Sequence, residues 1–398
     1  MSNTKETMAG TKQGSHGPEG VASLSDLARL FLKLGTIAFG GPAAHIAMME
    51  DEVVRRRRWM TRDDFLDLLG ATNLIPGPNS TEMAIHIGHR QRGRWGLIVA
   101  GVSFIFPAVL IVLLFAWIYV RYGSLPQIAG ALYGIKPVII AVVLQALWSL
   151  GRTATKNLFL AAVGLAGIVL AFLGVHELLI LLGGGVVVGA SQLVLRQIKS
   201  GVRSLAFASP MAILLQATTV TSVQFGLLPL FLFFLKVGSV LYGSGYVLLA
   251  FIRADLVERW HWLTESQLLD AVAVGQATPG PVFTTATFVG YVLGGFPGAA
   301  VATLGIFLPA FVFVAASGPL VSRIRRSPAA GAFLDGVNVA SLALMFVVTY
   351  ALGRAALIDI PTIVLALVSA VALFGFRVNS VWLILGGGVV GWLLSSMR

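Results

Sequence analysis

The 398-residue sequence contains no cysteine. That excludes disulfides, thiolate zinc sites and iron–sulfur clusters, and it removes redox chemistry through the protein's own thiols. Charge is almost as scarce, with 11% of residues Asp, Glu, Lys or Arg. A soluble domain would carry roughly a quarter. Acids are the scarcer sign, 17 against 28 Lys and Arg, for a net charge of +11. In a soluble protein that excess would suggest nucleic acid, but no basic stripe with interleaved aromatics occurs, so none is expected as a partner. The arginines sit in short loops between apolar runs, where topology signals belong. Residues 1–21 are polar and lack an apolar run behind a basic start. They read as a flexible tail, and no cleaved signal peptide is expected.

What fills the sequence is apolar: 57% of residues are hydrophobic, and mean hydropathy is +0.87. Uncharged runs cover 95–120, 157–175, 178–195, 204–235 and 271–322. A bilayer-spanning helix needs roughly 20 mostly apolar residues, so several of these runs cross and the longest holds two crossings. The expected fold class is an all-α polytopic membrane protein.

The chain is also written twice. Lys33-Leu34-Gly35 recurs as Lys236-Val237-Gly238, and Phe39-Gly40-Gly41-Pro42 falls opposite Tyr242-Gly243-Ser244-Gly245. Trp59 matches Trp262, Asp67 matches Asp270, Asn73 faces Gln276, and Pro76-Gly77-Pro78 faces Pro279-Gly280-Pro281. After a one-residue shift, Gly96 pairs with Gly298, Phe106-Pro107 with Leu308-Pro309, and Gly151-Arg152 with Gly353-Arg354. The expected division is a tail at 1–21, a first repeat at 22–198, a linker with an extra transmembrane helix at 199–224, and a second repeat at 225–398. Each repeat holds about six hydrophobic segments. Arg90, Arg92 and Arg94 precede the third segment of the first repeat, whereas Arg323, Arg325 and Arg326 follow its counterpart. The basic side has swapped, so the repeats are expected to be inverted, with the linker helix supplying the odd crossing. Basic clusters at 55–58 and 90–94 flank the second segment, which must therefore enter and return, broken at Pro76-Gly77-Pro78. The N-terminus is then cytoplasmic and the C-terminus periplasmic.

Non-helical backbone at membrane depth survives only where protein buries it or a cavity adjoins it. Paired breaks at equivalent places therefore point to a site, and inverted repeats place such a site near the midplane. Each helix that restarts after a break offers unpaired N–H groups and a positive dipole end, which suit a compact oxyanion. The residues so nominated are Gly40, Gly41, Pro42, Pro76, Gly77, Pro78, Asn79, Ser80 and Thr81. In the second half they are Tyr242, Gly243, Ser244, Gly245, Pro279, Gly280, Pro281, Thr284 and Thr285. The bland alternative, that Pro-Gly-Pro only kinks packed helices, is weakened by the duplication with polar residues downstream in both copies. Lys33 and Lys236 either draw an anion inward or snorkel to the interface. Glu82, with Thr285 opposite, is the candidate for proton coupling, with helix capping as its alternative. Asp67 and Asp270 read as interfacial anchors, and Arg152 and Arg354 as helix-end cations. His45, His86 and His89 have no metal-ligand spacing, and His86 and His89 are expected to face headgroups or water. No metal or cofactor is expected.

These motifs together resemble the chromate ion transporter family in its long-chain, two-domain form. The resemblance rests on Phe39-Gly40-Gly41-Pro42 with Ala44-His45-Ile46, Trp59 and Pro76-Gly77-Pro78. In the second half it rests on Tyr242-Gly243-Ser244-Gly245, Trp262 and Pro279-Gly280-Pro281. It implies secondary-active efflux of chromate, a sulfate look-alike, across the bacterial inner membrane, driven by the membrane potential or the proton gradient. The substrate it implies is chromate, with sulfate as the alternative; membrane lipid is the expected surrounding partner, and the sequence leaves open whether a second copy of the chain joins it as a homodimer. An anion channel shares the same site physics. A membrane-embedded enzyme would need HExxH, paired intramembrane Asp or Gly-x-Ser-x-Gly, none of which occurs, so no enzymatic activity is expected.

Overall fold

The structure is a computed structural model that describes residues 22–39, 41–123, 125–200, 223–242, 245–325, 327–376 and 378–397, with backbone alone for 195–200 and 318–325. The tail, most of the expected linker helix, Gly40, Gly243, Ser244 and Arg326 lie outside the described residues, as do the side chains of Arg323 and Arg325.

Every regular element among the described residues is helical. α1 (Leu24–Ile37) opens with a capping box in which Ser23 and Asp26 satisfy each other's backbone N–H. It stops at Ala38. After the break, α2 (Gly41–Glu50) runs into a π-helical stretch, Asp51–Arg56. α3 (Arg62–Thr72) is capped by Thr61 and ends before Pro76. α4 (Asn79–Tyr122) is two limbs, because Arg92 and Gly93 leave helical geometry. The limbs fold back on each other with Gly88 against the Gly96 backbone, an approach that a side chain would block.

The ends of these elements gather at one place. Ala22 N–H donates to Gln91 Oε1 at 3.1 Å, and Arg92 Nε donates to Ala22 O at 2.6 Å. Gln91 Nε2 donates to Trp59 O at 2.9 Å, and Arg90 pairs with Asp64 at 2.6 Å. The start of α1, the end of the π-helix, the start of α3 and the end of α4's first limb thus share one base. Both opening segments are re-entrant helical hairpins whose breaks are their tips. The 14 residues of α1 reach about 21 Å at 1.5 Å per residue, short of the ~30 Å hydrocarbon core. Four further helical segments follow: the second limb of α4, α5 (Pro126–Ala154), α6 (Leu158–Phe172) and α7 (Glu177–Ser200), of which α4, α5 and α7 are long and apolar enough to cross a membrane.

The second half repeats this element by element. α8 (Leu227–Val240), a 3-10 turn with α9 (Leu248–Phe251), and the π-helix Ile252–Arg259 form its first hairpin. α10 (Glu265–Ala277) and the first limb of α11 (Thr285–Arg325) form the second, with α11 breaking at Gly294 and Gly295 as α4 does at Arg92 and Gly93. α12 (Pro328–Ala356), α13 (Ile360–Phe374) and α14 (Ser380–Ser396) complete it. Trp262 Nε1 donates to Val223 O at 2.9 Å at this base, where Trp59 in the first repeat accepts through its backbone carbonyl.

Helix directions establish the inversion. Rising numbers along α7 (Gly184, Gly185, Gly189) meet falling ones along α12 (Ala340, Phe333, Ala329), so the two run antiparallel. Gly130 and Gly134 of α5 meet Ser395 and Gly387 of α14 in the same sense. Short turns make α5, α6 and α7 alternate, so α5 and α7 run alike. Each therefore runs against its own counterpart in the other repeat. The pairing is exchanged, α5 on α14 and α12 on α7, which interlocks the repeats. Leu158, Leu173, Val371 and Trp382 stand 61% or more exposed on the outside, an apolar belt for lipid.

Candidate functional site

The inversion brings the hairpin tips together in two crossed pairs. Gly280 N–H donates to Ala38 O at 2.9 Å, and Gly77 N–H donates to Leu241 O at 2.8 Å. Each Pro-Gly-Pro tip is thus tied to the first tip of the other repeat. Both pairs lie against the second limbs of α4 and α11. A Cβ on Gly280 would stand 2.8 Å from Ala108 Cβ, and one on Gly77 would stand 3.7 Å from Ala310 Cβ. Ala108 and Ala310 are repeat counterparts, and both are fully buried. Gly77 and Gly280 have φ of +139° and +90°, conformations a side chain rarely allows. Pro76, Pro78, Pro279 and Pro281 beside them are buried.

The helix starts differ between the halves. α4 begins at Asn79 with no side-chain cap. Pro78 O accepts from the N–H groups of Thr81 and Glu82 at 2.8 and 3.0 Å, which leaves the Asn79 and Ser80 N–H groups for another acceptor. Ser80 and Thr81 are buried, and Thr81 Oγ1 has no partner. Asn79 instead donates its amide to Asn73 Oδ1 at 3.0 Å, closing the loop below the tip. In the second half Val282–Thr284 is a 3-10 turn. Three residues at about 2.0 Å rise cover the length of four at about 1.5 Å, which absorbs the one-residue shift between the repeats. Thr284 and Thr285 donate their hydroxyls to Pro281 O and Val282 O, at 2.9 and 2.8 Å. Gly41, at φ +78°, and Pro42 open α2; Tyr242 is half-buried, and Gly245 starts the 3-10 turn before α9.

Glu82 is the one acid in these starts. It is fully buried, neither carboxylate oxygen has a partner, and Oε1 lies against Gly77 where a Cβ would be. The lysines are held elsewhere. Lys33 Nζ donates to Glu52 Oε1 at 2.8 Å, and Lys236 donates to Asp255. Glu52 and Asp255 are counterparts on the two π-helices, and each also holds an arginine, Arg57 and Arg259 respectively. Each lysine is thus tied to an acid of its own repeat.

The sequence profile of the chromate transporter family matches residues 25–190 and 228–392. The chain belongs to the chromate transporter family. The two matched stretches fall in the two halves of the chain. Among relatives, the chromate transport protein of Cupriavidus metallidurans is 32% identical over 96% of this chain and 95% of its own length. The chromate transport protein of Pseudomonas aeruginosa is 31% identical over 92% and 91%. A probable chromate transport protein of Synechococcus elongatus is 30% identical over 88% and 90%. No solved structure matches the chain.

In this member of the family the histidines depart from their expected places. His86 does not face headgroups or water: it is 6% exposed and its Nε2 has no partner. It lies on the limb of α4 that folds back at Arg92 and Gly93, and no periodicity in one short helix announces such a fold-back. His45 is buried, with Nε2 3.0 Å from Ala38 O, the same carbonyl that receives Gly280. Asp270 is buried in protein; Tyr119 donates to it at 3.0 Å, and Lys136 stands 3.2 Å away. Sequence reasoning missed Glu52 and Asp255. Their common offset with Lys33 and Lys236 was the signal available. A cavity of about 770 Å³ opens beside the second repeat's π-helix, bordered by Arg253, Arg259, Arg354 and Glu177.

Proposed function

We propose that this chain carries chromate out of the cytoplasm across the bacterial inner membrane as a secondary transporter, with the first repeat's hairpin bases cytoplasmic. Chromate comes from the relatives, three of which bear that name. The observation that carries the mechanism is the crossed pairing of Gly77 with Leu241 and Gly280 with Ala38. It gathers helix starts of opposite direction around one point between the repeats. A tetrahedral dianion is costly to desolvate, so several fixed donors must converge on it. Helix N-termini supply donors without a full counter-charge, which also permits release. Interlocked inverted repeats then allow one bundle to rock against the other around that point.

Inverted membrane vesicles loaded with unlabelled chromate test this. Labelled chromate should accumulate by counter-flow and saturate, with sulfate competing weakly or strongly according to selectivity. Flux that rises linearly with concentration and shows no counter-flow would replace the transporter with an anion channel of the same architecture. Absence of any chromate flux alongside saturable sulfate flux would replace the substrate.

A further inference from the structure

Glu82 occupies the place that an oxyanion would need. Helical side chains lean toward the N-terminus, and this one curls onto Gly77 at the tip. Its surroundings offer no counter-charge. Glu82 shares the space at Gly77 with Ala310 of α11, and the second repeat's tip presents Tyr242 as the titratable group within electrostatic reach. Among the described residues no Lys or Arg pairs with Glu82. An ionised carboxylate here has the helix N-terminus and the Asn79 and Ser80 N–H groups to lean on. An oxyanion has the same ones. Two unscreened anions cannot share them at close quarters in so dry a place.

Two histidines lie beyond Glu82 along the same limb. His86 and His89 follow at four and seven residues, which places all three on one helical face. Exposure rises along the row: Glu82 is fully buried, His86 is buried with a free Nε2, and His89 is half-buried near the hairpin base. At the offset of 202 that holds from the 3-10 turn onward, the second repeat's counterparts are Thr284, Phe288 and Tyr291, none of them an acid or a histidine. The row is therefore confined to the first repeat.

We propose that Glu82 is a protonatable occupant of the first repeat's oxyanion cradle, protonated by way of His89 and His86, so that binding an oxyanion there takes up a proton. This rests on the reading of the tips as the oxyanion site. The only bonds that change are N–H and O–H: a proton leaves a ring nitrogen of His86 for a Glu82 oxygen, and His86 is recharged from His89. Because the oxyanion favours protonated Glu82, affinity falls as pH rises.

Equilibrium dialysis of labelled chromate against the purified full-length protein, from pH 6 to pH 9, tests this. Glu82→Gln mimics the protonated acid. Glu82→Thr places there the second repeat's own residue, and it serves should the Gln variant fail to fold. Chromate's own protonation affects all proteins alike and cancels in the ratio of dissociation constants. The ratio of wild type to variant should climb toward about tenfold per pH unit, as linkage of one proton requires. His86→Phe should leave equilibrium affinity unchanged but slow proton uptake, followed with a pH indicator, by at least about tenfold. A ratio independent of pH overturns the proposal, and unslowed uptake in the His86 variant overturns its route. Failure of wild type and variants alike to bind chromate overturns the functional reading instead.

Discussion

Single residues at the tips show how little freedom the crossing leaves. Gly280 combines a positive φ with Ala108 Cβ at 2.8 Å and Gly35 O at 3.3 Å from a built Cβ, whereas Gly295 has a positive φ and open space. Gly280→Ala should therefore lose both the conformational term, about 1–3 kcal/mol, and a packing term of similar size. Gly295→Ala should lose only the first. Thermal unfolding in detergent checks this, and adding Ala108→Gly to the Gly280 variant should restore part of the loss while leaving the Gly295 variant untouched. The lysines follow different logic. Lys33 is 49% exposed and Lys236 is 34% exposed, against acids at 10% and 1%. Removing the partner of a buried acid costs more than breaking an exposed pair, so Lys236→Gln should destabilise by about 2–3 kcal/mol and Lys33→Gln by about 1 kcal/mol. Neutralising the acid as well should recover most of it. A fall in chromate affinity without a fall in stability would instead return the lysines to the site.

Between residue and whole lie elements, and here the sequence was legible where the backbone imposed a residue type. Pro-Gly-Pro announces a break because proline cannot continue a helix and glycine can turn. The offset of 203 between tips marks duplication, and the later offset of 202 marks the 3-10 turn that replaces a stretch of α-helix at Val282–Thr284. The π-helices were not legible. Asp51–Arg56 and Ile252–Arg259 end alike, with Trp59 N–H donating to Val53 O and Trp262 N–H to Leu256 O, both at 2.8 Å. Arg58 and His261 share a positive φ just before those tryptophans. No composition distinguishes a π-turn from an α-turn. What it does is set Glu52 and Asp255 beneath the lysines, and that pairing arises from tertiary geometry. The burial of His86 and Asp270 was hidden for the same reason: apolar periodicity reports the lipid face, and partner helices from the other repeat decide the rest.

For the whole molecule, inversion is what makes the tips meet, and the exchange of α7 and α14 is what keeps them there. A parallel duplication would set α5 and α14 side by side in one direction. Instead Gly134 meets Gly387 and Gly391 in the antiparallel sense, and Gly336 meets Gly184 likewise. Small residues let these backbones approach closely where lipid gives helices no hydrophobic reason to associate. The hairpin bases consequently lie at opposite faces of the membrane. Arg94 and Phe296 each stand one residue beyond the matched turns and are both exposed. The chain has no cysteine of its own, so Arg94→Cys and Phe296→Cys report without background. In intact cells a membrane-impermeant thiol reagent should label position 296 and spare position 94, and in inverted vesicles the reverse. Labelling of both from one face would undo the inverted arrangement, and with it the convergence of helix starts on which the proposed oxyanion site depends.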